Sequence, residues 1–144
     1  MEEENNFTLS FSPCIDKKRA SSLNPLTLAF VGDGVWTLFV RDYFCKNTDF
    51  KNSNLHSLTT RFVKASFQAS ALDRLPLTDE EKTIARRARN SHNNTIAKNA
   101  TLFDYKKATS FEAIIGFLYL TGESKRLNEF FSIFLPDLQD ILKK

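Results

Sequence analysis

The sequence of 144 residues has few of the residues that interrupt regular structure, with four glycines and four prolines. So low a content argues against a β-protein rich in turns. Only two cysteines are present, Cys14 and Cys45, and they form no Cys-x-x-Cys pair, which excludes a disulfide framework. No apolar run is long enough to span a bilayer, and the acidic start MEEENNFTLS resembles neither a secretory signal nor a transit peptide. We therefore expect a cytoplasmic protein with free thiols and no membrane contact.

What the sequence does have is phenylalanine, with fourteen in a chain whose apolar fraction is 42%. The length suits one domain with a real hydrophobic core. Apolar residues recur mostly at helical spacing, so we predict an all-α fold of five or six helices. Residues 1–22 are polar and are expected to form a flexible N-terminal segment ahead of a domain at 23–144.

The first strong apolar run is NPLTLAFVGDGVWTLFV. Asn24 and Pro25 favour the start of a helix, because Asn caps helices and Pro is tolerated at the first helical position. Apolar residues occupy all its sides, Phe30 among them, so we expect this helix to be buried nearly all round. A β-hairpin turning at Asp33-Gly34 is the rival interpretation, and periodicity does not exclude it.

Further helices are predicted downstream. Asn54 can cap one helix that carries an apolar stripe as far as Leu72. The TDEE stretch at residues 78–81 matches a capping box. The run TSFEAIIGFLYL predicts a buried helix ending at Gly122, and Pro136 should bend or break a final amphipathic helix.

Two carboxylates lie within apolar runs. Asp33 stands between Gly32 and Gly34, and each glycine in a helix costs about 1 kcal/mol relative to alanine. These residues indicate either a site that something approaches closely or a plain Asp-Gly turn. Glu112 can likewise be a ligand, or it can complete a capping box with Thr109.

A cationic block occupies residues 82–107, which contain seven basic residues and one acid. The basic residues are Lys82, Arg86, Arg87, Arg89, Lys98, Lys106 and Lys107. Such a block indicates a surface that faces a polyanion, although a solvated helix face is the commoner explanation. Together with the two carboxylates it indicates Mg²⁺-assisted phosphodiester hydrolysis. His56 and His92 lie too far apart in sequence for a zinc motif.

Four ordered blocks carry a family resemblance. They are NPLTLAFVGDGVWTLFVRDYF, LHSLTTRFVKASFQASAL, LTDEEKTIARRARNSHNNTIAKN and TSFEAIIGFLYLTGESKRL. The chain resembles the ribonuclease III family over residues 23–127, in the Mini-ribonuclease III form that has no double-stranded-RNA-binding domain.

The resemblance implies an all-α endonuclease domain, a homodimer, and Mg²⁺-dependent cleavage of double-stranded RNA, with Mn²⁺ as a substitute ion. It implies products with 5′-phosphate ends, maturation of precursor large-subunit ribosomal RNA, and a ribosomal protein as a further partner. Asp33 and Glu112 would be the catalytic metal ligands. The predicted RNA-binding residues are Arg86, Arg87, Arg89, Asn90, Lys98 and Asn99. The alternative is a non-catalytic RNA-binding or ribosome-associated protein on the same fold.

The chain departs from full-length ribonuclease III sequences at two acidic positions. Ala29 stands where those enzymes have Glu, and Thr109 stands where they have Asp. Only two of four acids remain, so we expect water and RNA phosphate to supply more of the metal coordination. Gly34 stands where the family usually has Ala.

Overall fold

The computed structural model describes residues 11–91 and 101–143, and every regular element in these two ranges is an α-helix. The seven helices are α1 (Lys17–Ser22), α2 (Pro25–Asn47), α3 (Asn52–Val63), α4 (Ala65–Leu72), α5 (Asp79–Arg89), α6 (Leu102–Leu120) and α7 (Ser124–Leu142). The all-α prediction is confirmed, with more helices than the five or six expected. Within the described ranges, none combines the length and the apolar composition that a bilayer crossing requires.

Helix α6 lies at the centre of the bundle, where it packs against α2, α4 and α5. The core around it is aromatic. Trp36 is fully buried, and its ring meets the rings of Phe111 and Phe134 edge to face. Its indole N–H donates to the carbonyl of Phe62 at 2.8 Å, which satisfies the one polar atom of the ring. The many phenylalanines thus fill the interior between the central helices.

Helix α2 is continuous from Pro25 to Asn47, so the hairpin interpretation of this stretch is wrong. The Asn24 side chain accepts a hydrogen bond from the Leu26 N–H at 2.9 Å, which confirms the predicted cap. The expectation that the helix is buried nearly all round is wrong. Phe30 is 80% exposed and Leu38 is also exposed, because one stripe of α2 faces away from the bundle.

The single helix predicted from Asn54 to Leu72 is two helices, α3 and α4. The chain breaks at Lys64, which has extended backbone angles (φ −75°, ψ 154°). Neither Gly nor Pro marks the break in the sequence. The change of direction lets α4 pack against α6, and it turns Gln68 into the interior, where the side chain is buried.

Helix α5 begins with the predicted capping box, in which Thr78 and Glu81 bond each other's backbone N–H. Helix α6 begins earlier than the sequence indicated. Its cap is Thr101, whose hydroxyl accepts from the Asp104 N–H at 3.0 Å. Thr109 lies inside the helix, where its hydroxyl donates to the carbonyl of Tyr105, so the capping box proposed for Thr109 and Glu112 is wrong.

Residues 1–22 were expected to be flexible, but part of this segment is ordered. Its residues from 17 onward form α1, and Ala20 is fully buried against the bundle. The Ile15 N–H also donates to the carbonyl of Leu120 at 2.9 Å. A helix of six residues has too few turns to show periodicity, so the sequence pattern could not reveal it.

The last two helices meet at Gly122. This residue has a φ of 75°, a conformation that suits glycine, and it ends α6 as predicted. Helix α7 continues through Pro136, so the proline does not break the helix. The missing proline N–H leaves one helical bond unmade without ending the element.

Candidate active site

Helices α2 and α6 touch through their backbones at two glycines. A Cβ atom added to Gly32 would lie 1.7 Å from the carbonyl oxygen of Glu112, and one added to Gly116 would lie 1.9 Å from that of Leu28. No side chain fits at either position. The glycine before Asp33 is therefore explained by close approach of two helices, and the same contact brings Asp33 beside Glu112.

Asp33 and Glu112 form a carboxylate pair across this crossing. Asp33 is exposed, whereas Glu112 is partly buried. Burial is the largest cause that raises the pKa of Glu112, followed by hydrogen bonding to Asp33 and by its charge, and together they bring it to about 9. The raised pKa favours a neutral Glu112 beside Asp33, and a bound cation would favour the ionised carboxylate instead.

Gln68 is the third polar side chain here, and it was not among the predicted site residues. Its amide faces Glu112 and favours the ionised carboxylate, which lowers the pKa of Glu112 against the larger effects of burial and Asp33. The side chain is 2% exposed. Its Nε2 is nevertheless the one buried side-chain nitrogen or oxygen in the described ranges without a hydrogen-bond partner. Gln68 lies four residues before Leu72, one helical turn along the predicted apolar stripe, and this spacing could have indicated its burial.

The residues present fit a divalent cation that prefers oxygen ligands. Two carboxylates side by side supply such ligands and gain from a positive charge between them. Among residues 11–91 and 101–143, no cluster of three or more Asp, Glu, His or Cys side chains exists. Ala29 and Thr109, which stand at the positions of the missing acids, are both buried, and the Thr109 hydroxyl is bonded to its own helix. The remaining ligands would come from solvent or substrate.

The predicted RNA-binding residues separate into different environments. Arg86 and Arg89 are exposed on α5, and Asn90 is exposed directly after it. Lys98 and Asn99 lie outside the described residues. The group at the end of α5 is thus open to an anionic ligand, and Lys82 and Lys106 of the same block are exposed as well.

Arg87 and Lys107 of the same block have structural partners. The Arg87 guanidinium donates to the carbonyls of Ser21 and Leu23 at the end of α1. Lys107 pairs with Asp73, the residue that follows α4. Arg87 therefore binds the protein's own backbone, unlike its neighbours Arg86 and Arg89.

Helix α5 is fastened to the helix that carries Glu112. The Ser110 hydroxyl, two residues before Glu112, donates to the Ala85 carbonyl of α5 at 2.6 Å. Both groups are protected from solvent, since Ser110 is buried. The exposed arginines and the carboxylate pair therefore belong to one packed unit of α2, α5 and α6.

Comparisons with known proteins agree with this geometry. The Ribonuclease III domain family matches residues 26–123. The chain is 43% identical to Mini-ribonuclease 3 of Clostridium tetani over 78% of this chain and 77% of that protein. It is 38% identical to Mini-ribonuclease 3 of a Thermoanaerobacter species over 88% and 90% of the two chains.

The fold has a solved counterpart as well. A crystal structure of a protein from Fusobacterium nucleatum superposes with a TM-score of 0.77 at 29% identity, and it covers 85% of this chain and 98% of that one. The family match spans α2 to α6, including the crossing at Gly32 and both carboxylates. The chain belongs to the ribonuclease III family, a family of endoribonucleases.

Proposed function

We propose that this protein is a Mg²⁺-dependent endoribonuclease that cleaves double-stranded RNA and leaves 5′-phosphate ends. The observation that carries the proposal is the Asp33–Glu112 pair, held together at the glycine crossing of a ribonuclease III domain. Mn²⁺ would substitute for Mg²⁺, because both accept carboxylate and water oxygens.

The two carboxylates have complementary roles in this proposal. Asp33 and Glu112 would hold the ion, which when bound activates a water and offsets negative charge on the phosphodiester. Asp33 is exposed, so it would be the member of the pair that an approaching RNA meets first. The backbone of Glu112 lies against Gly32, so the backbones that carry the two carboxylates keep a fixed spacing.

The RNA backbone would lie along the end of α5. Arg86, Arg89 and Asn90 are exposed there and offer donors to phosphate oxygens. A-form RNA presents phosphates, 2′-hydroxyls and shape rather than readable bases, so binding would depend on shape and weaken with salt. Lys98 and Asn99 are proposed to add to this surface on the basis of the family resemblance.

A homodimer is the second part of the proposal. The exposed stripe of α2 contains Phe30, Gly34 and Leu38, one helical turn apart, and it borders Asp33. An exposed phenylalanine beside a site suggests an interface. A two-fold dimer would place two sites across one RNA duplex, one for each strand.

Light scattering tests this interface. Phe30→Ser should convert a dimer into a monomer, whereas Phe103→Ser, at another exposed phenylalanine away from α2, should not. A wild-type protein that stays monomeric and active at micromolar concentration would contradict the dimer.

Precursor large-subunit ribosomal RNA is the substrate we propose, by analogy with the family form that the chain resembles. Cleavage of that precursor, free or bound by a ribosomal protein, should be faster than cleavage of an unrelated duplex of the same length. Equal rates on all duplexes would contradict this substrate and leave the nuclease chemistry intact.

The chemistry is tested on double-stranded RNA with Mg²⁺, Ca²⁺ or EDTA. Wild-type protein should cleave only with Mg²⁺ or Mn²⁺, and Asp33→Asn and Glu112→Gln should each abolish cleavage while leaving RNA binding in place. Cleavage by both variants would contradict the proposed mechanism. Binding without any cleavage by the wild type would favour a non-catalytic RNA-binding protein on this fold.

A further inference from the structure

We propose that Gln68 is a positioning residue of the carboxylate pair. When Glu112 holds a divalent cation, the Gln68 amide donates to that carboxylate and fixes which of its oxygens faces the ion. This inference rests on the metal-dependent activity proposed above.

The position of Gln68 restricts what its amide can bond. It lies on the short helix α4, which packs against α6, and its side chain is 2% exposed. Buried amides normally have hydrogen-bond partners, because leaving a donor unsatisfied costs free energy. The Nε2 of Gln68 has none within the described ranges.

The carboxylate pair explains why an amide is buried at this position. The amide faces Glu112, the less exposed member of the carboxylate pair. Side chains that hydrogen-bond a metal ligand orient it and are costly to replace. The short helix α4 therefore places the Gln68 amide next to Glu112. Only one other carboxylate, that of Asp33, would share the ion with Glu112.

A merely structural role would have a different signature. If the amide served packing, its loss would lower the melting temperature. Replacing it with an apolar side chain of similar size removes an unsatisfied buried donor, so a positioning role predicts an unchanged or higher melting temperature. Gln68→Leu and Gln68→Met test this with branched and unbranched shapes.

The experiment measures Mn²⁺ binding to the RNA-free protein by water-proton relaxation, which detects weak sites, together with the melting temperature. Both Gln68 variants should bind Mn²⁺ at least about 10-fold more weakly than wild type without loss of melting temperature. The half-saturating Mg²⁺ for cleavage should rise in parallel. Thr59→Val is the matched control, because Thr59 is a buried polar residue whose hydroxyl already donates within its own helix, to Leu55.

The outcomes separate the two proposals. Wild-type Mn²⁺ affinity in both Gln68 variants would overturn the positioning role, as would a fall in melting temperature that tracks the loss of affinity. If Asp33→Asn weakened Mn²⁺ binding while the Gln68 variants did not, the metal site would stand and only the role of Gln68 would fall. Failure of the wild type to bind Mn²⁺ would overturn both.

Discussion

The backbone of Gly32 lies against the backbone of Glu112 so closely that no side chain fits between them. Asp33 follows Gly32 directly, so a backbone contact between α2 and α6 sets how far apart the backbones of Asp33 and Glu112 lie. The neighbouring Gly34 is different, since a Cβ atom there meets nothing within 4 Å. One glycine beside Asp33 is required by packing, and the other is not.

The first prediction contrasts these two glycines. Gly32→Ala should destabilise the fold by several kcal/mol, roughly 3 or more, because the helices must separate. Gly34→Ala should stabilise it by about 0.5–1 kcal/mol, because alanine favours helix and nothing obstructs it. Urea denaturation of both variants checks this. A Gly34→Ala protein that stays folded but loses cleavage would show instead that Gly34 belongs to the site.

The second prediction concerns pH in the absence of metal. The pKa of Glu112 rises from an ordinary 4.5 to about 9 on folding, so the folded state holds this proton more tightly. The resulting stabilisation is fully present below pH 4.5 and is lost as pH rises through about 9. In EDTA the free energy of unfolding should therefore fall across this window.

Glu112→Gln is the control for that prediction, because it mimics the protonated side chain at every pH. Its free energy of unfolding, from urea melts at pH 5, 7 and 9, should change less with pH than that of the wild type. Added Mg²⁺ should also flatten the wild-type curve by favouring the ionised pair. Parallel pH curves for the two proteins would contradict the assignment.

The third prediction separates two arginines of the cationic block, Arg87 and Arg89. Arg87→Ala should cost about 1–3 kcal/mol of stability, because its guanidinium bonds two carbonyls at the end of α1. Arg89→Ala should leave stability unchanged and weaken RNA binding, with the slope of log affinity against log salt falling by about 1. Thermal melts and binding titrations at several salt concentrations measure both. Equal salt slopes for Arg89→Ala and wild type would exclude a phosphate contact.

The fourth prediction concerns the buried ion pair between α5 and α7. Arg126 donates to both carboxylate oxygens of Glu81 at 2.7 and 2.9 Å, and Glu81 is 3% exposed. Burial raises the pKa of Glu81, but the bonds from Arg126 and Thr78 outweigh it and leave the pKa below its ordinary value. Arg126→Met leaves the Glu81 carboxylate without its cationic partner. The free energy of unfolding should fall by about 3–5 kcal/mol at neutral pH.

The loss of stability caused by Arg126→Met should depend on pH. A lowered pKa means that the pair contributes stability above the ordinary value of 4.5 and loses it as pH falls through the folded value. The difference between Arg126→Met and wild type should therefore shrink below pH 4.5. A constant difference down to pH 3 would show that Arg126 acts through its packing on Phe130 rather than through its charge.

Features written in local sequence were predictable, and features created by packing were not. The caps at Asn24 and Thr78 follow from residues within one turn, so both were found. The break at Lys64 carries no Gly or Pro, and it arises from the need of α4 to reach α6. The start of α6 was missed because Thr109 and Glu112 imitate a cap inside a helix.

The residues of the candidate site were likewise only partly predictable from the sequence. Asp33 and Glu112 stood out as acids in apolar runs and were predicted to be a pair of metal ligands, as the family resemblance also implies. Gln68 was missed, because a polar side chain one turn before Leu72 does not by itself indicate a buried position, although the structure buries it. The exposure of Phe30 was equally hidden, since an apolar residue in an apolar run gives no sign that none of residues 11–91 and 101–143 covers its face of the helix.

The attachment of α5 has a consequence for where RNA would be cut. Ser110 ties α5 to α6 beside Glu112, and Arg87 ties its other side to the end of α1. Arg86 and Arg89 therefore cannot move independently of the carboxylates. Under the proposed function, the cleaved bond would lie a fixed number of nucleotides from the phosphates that α5 binds. This distance would not depend on the base sequence between them.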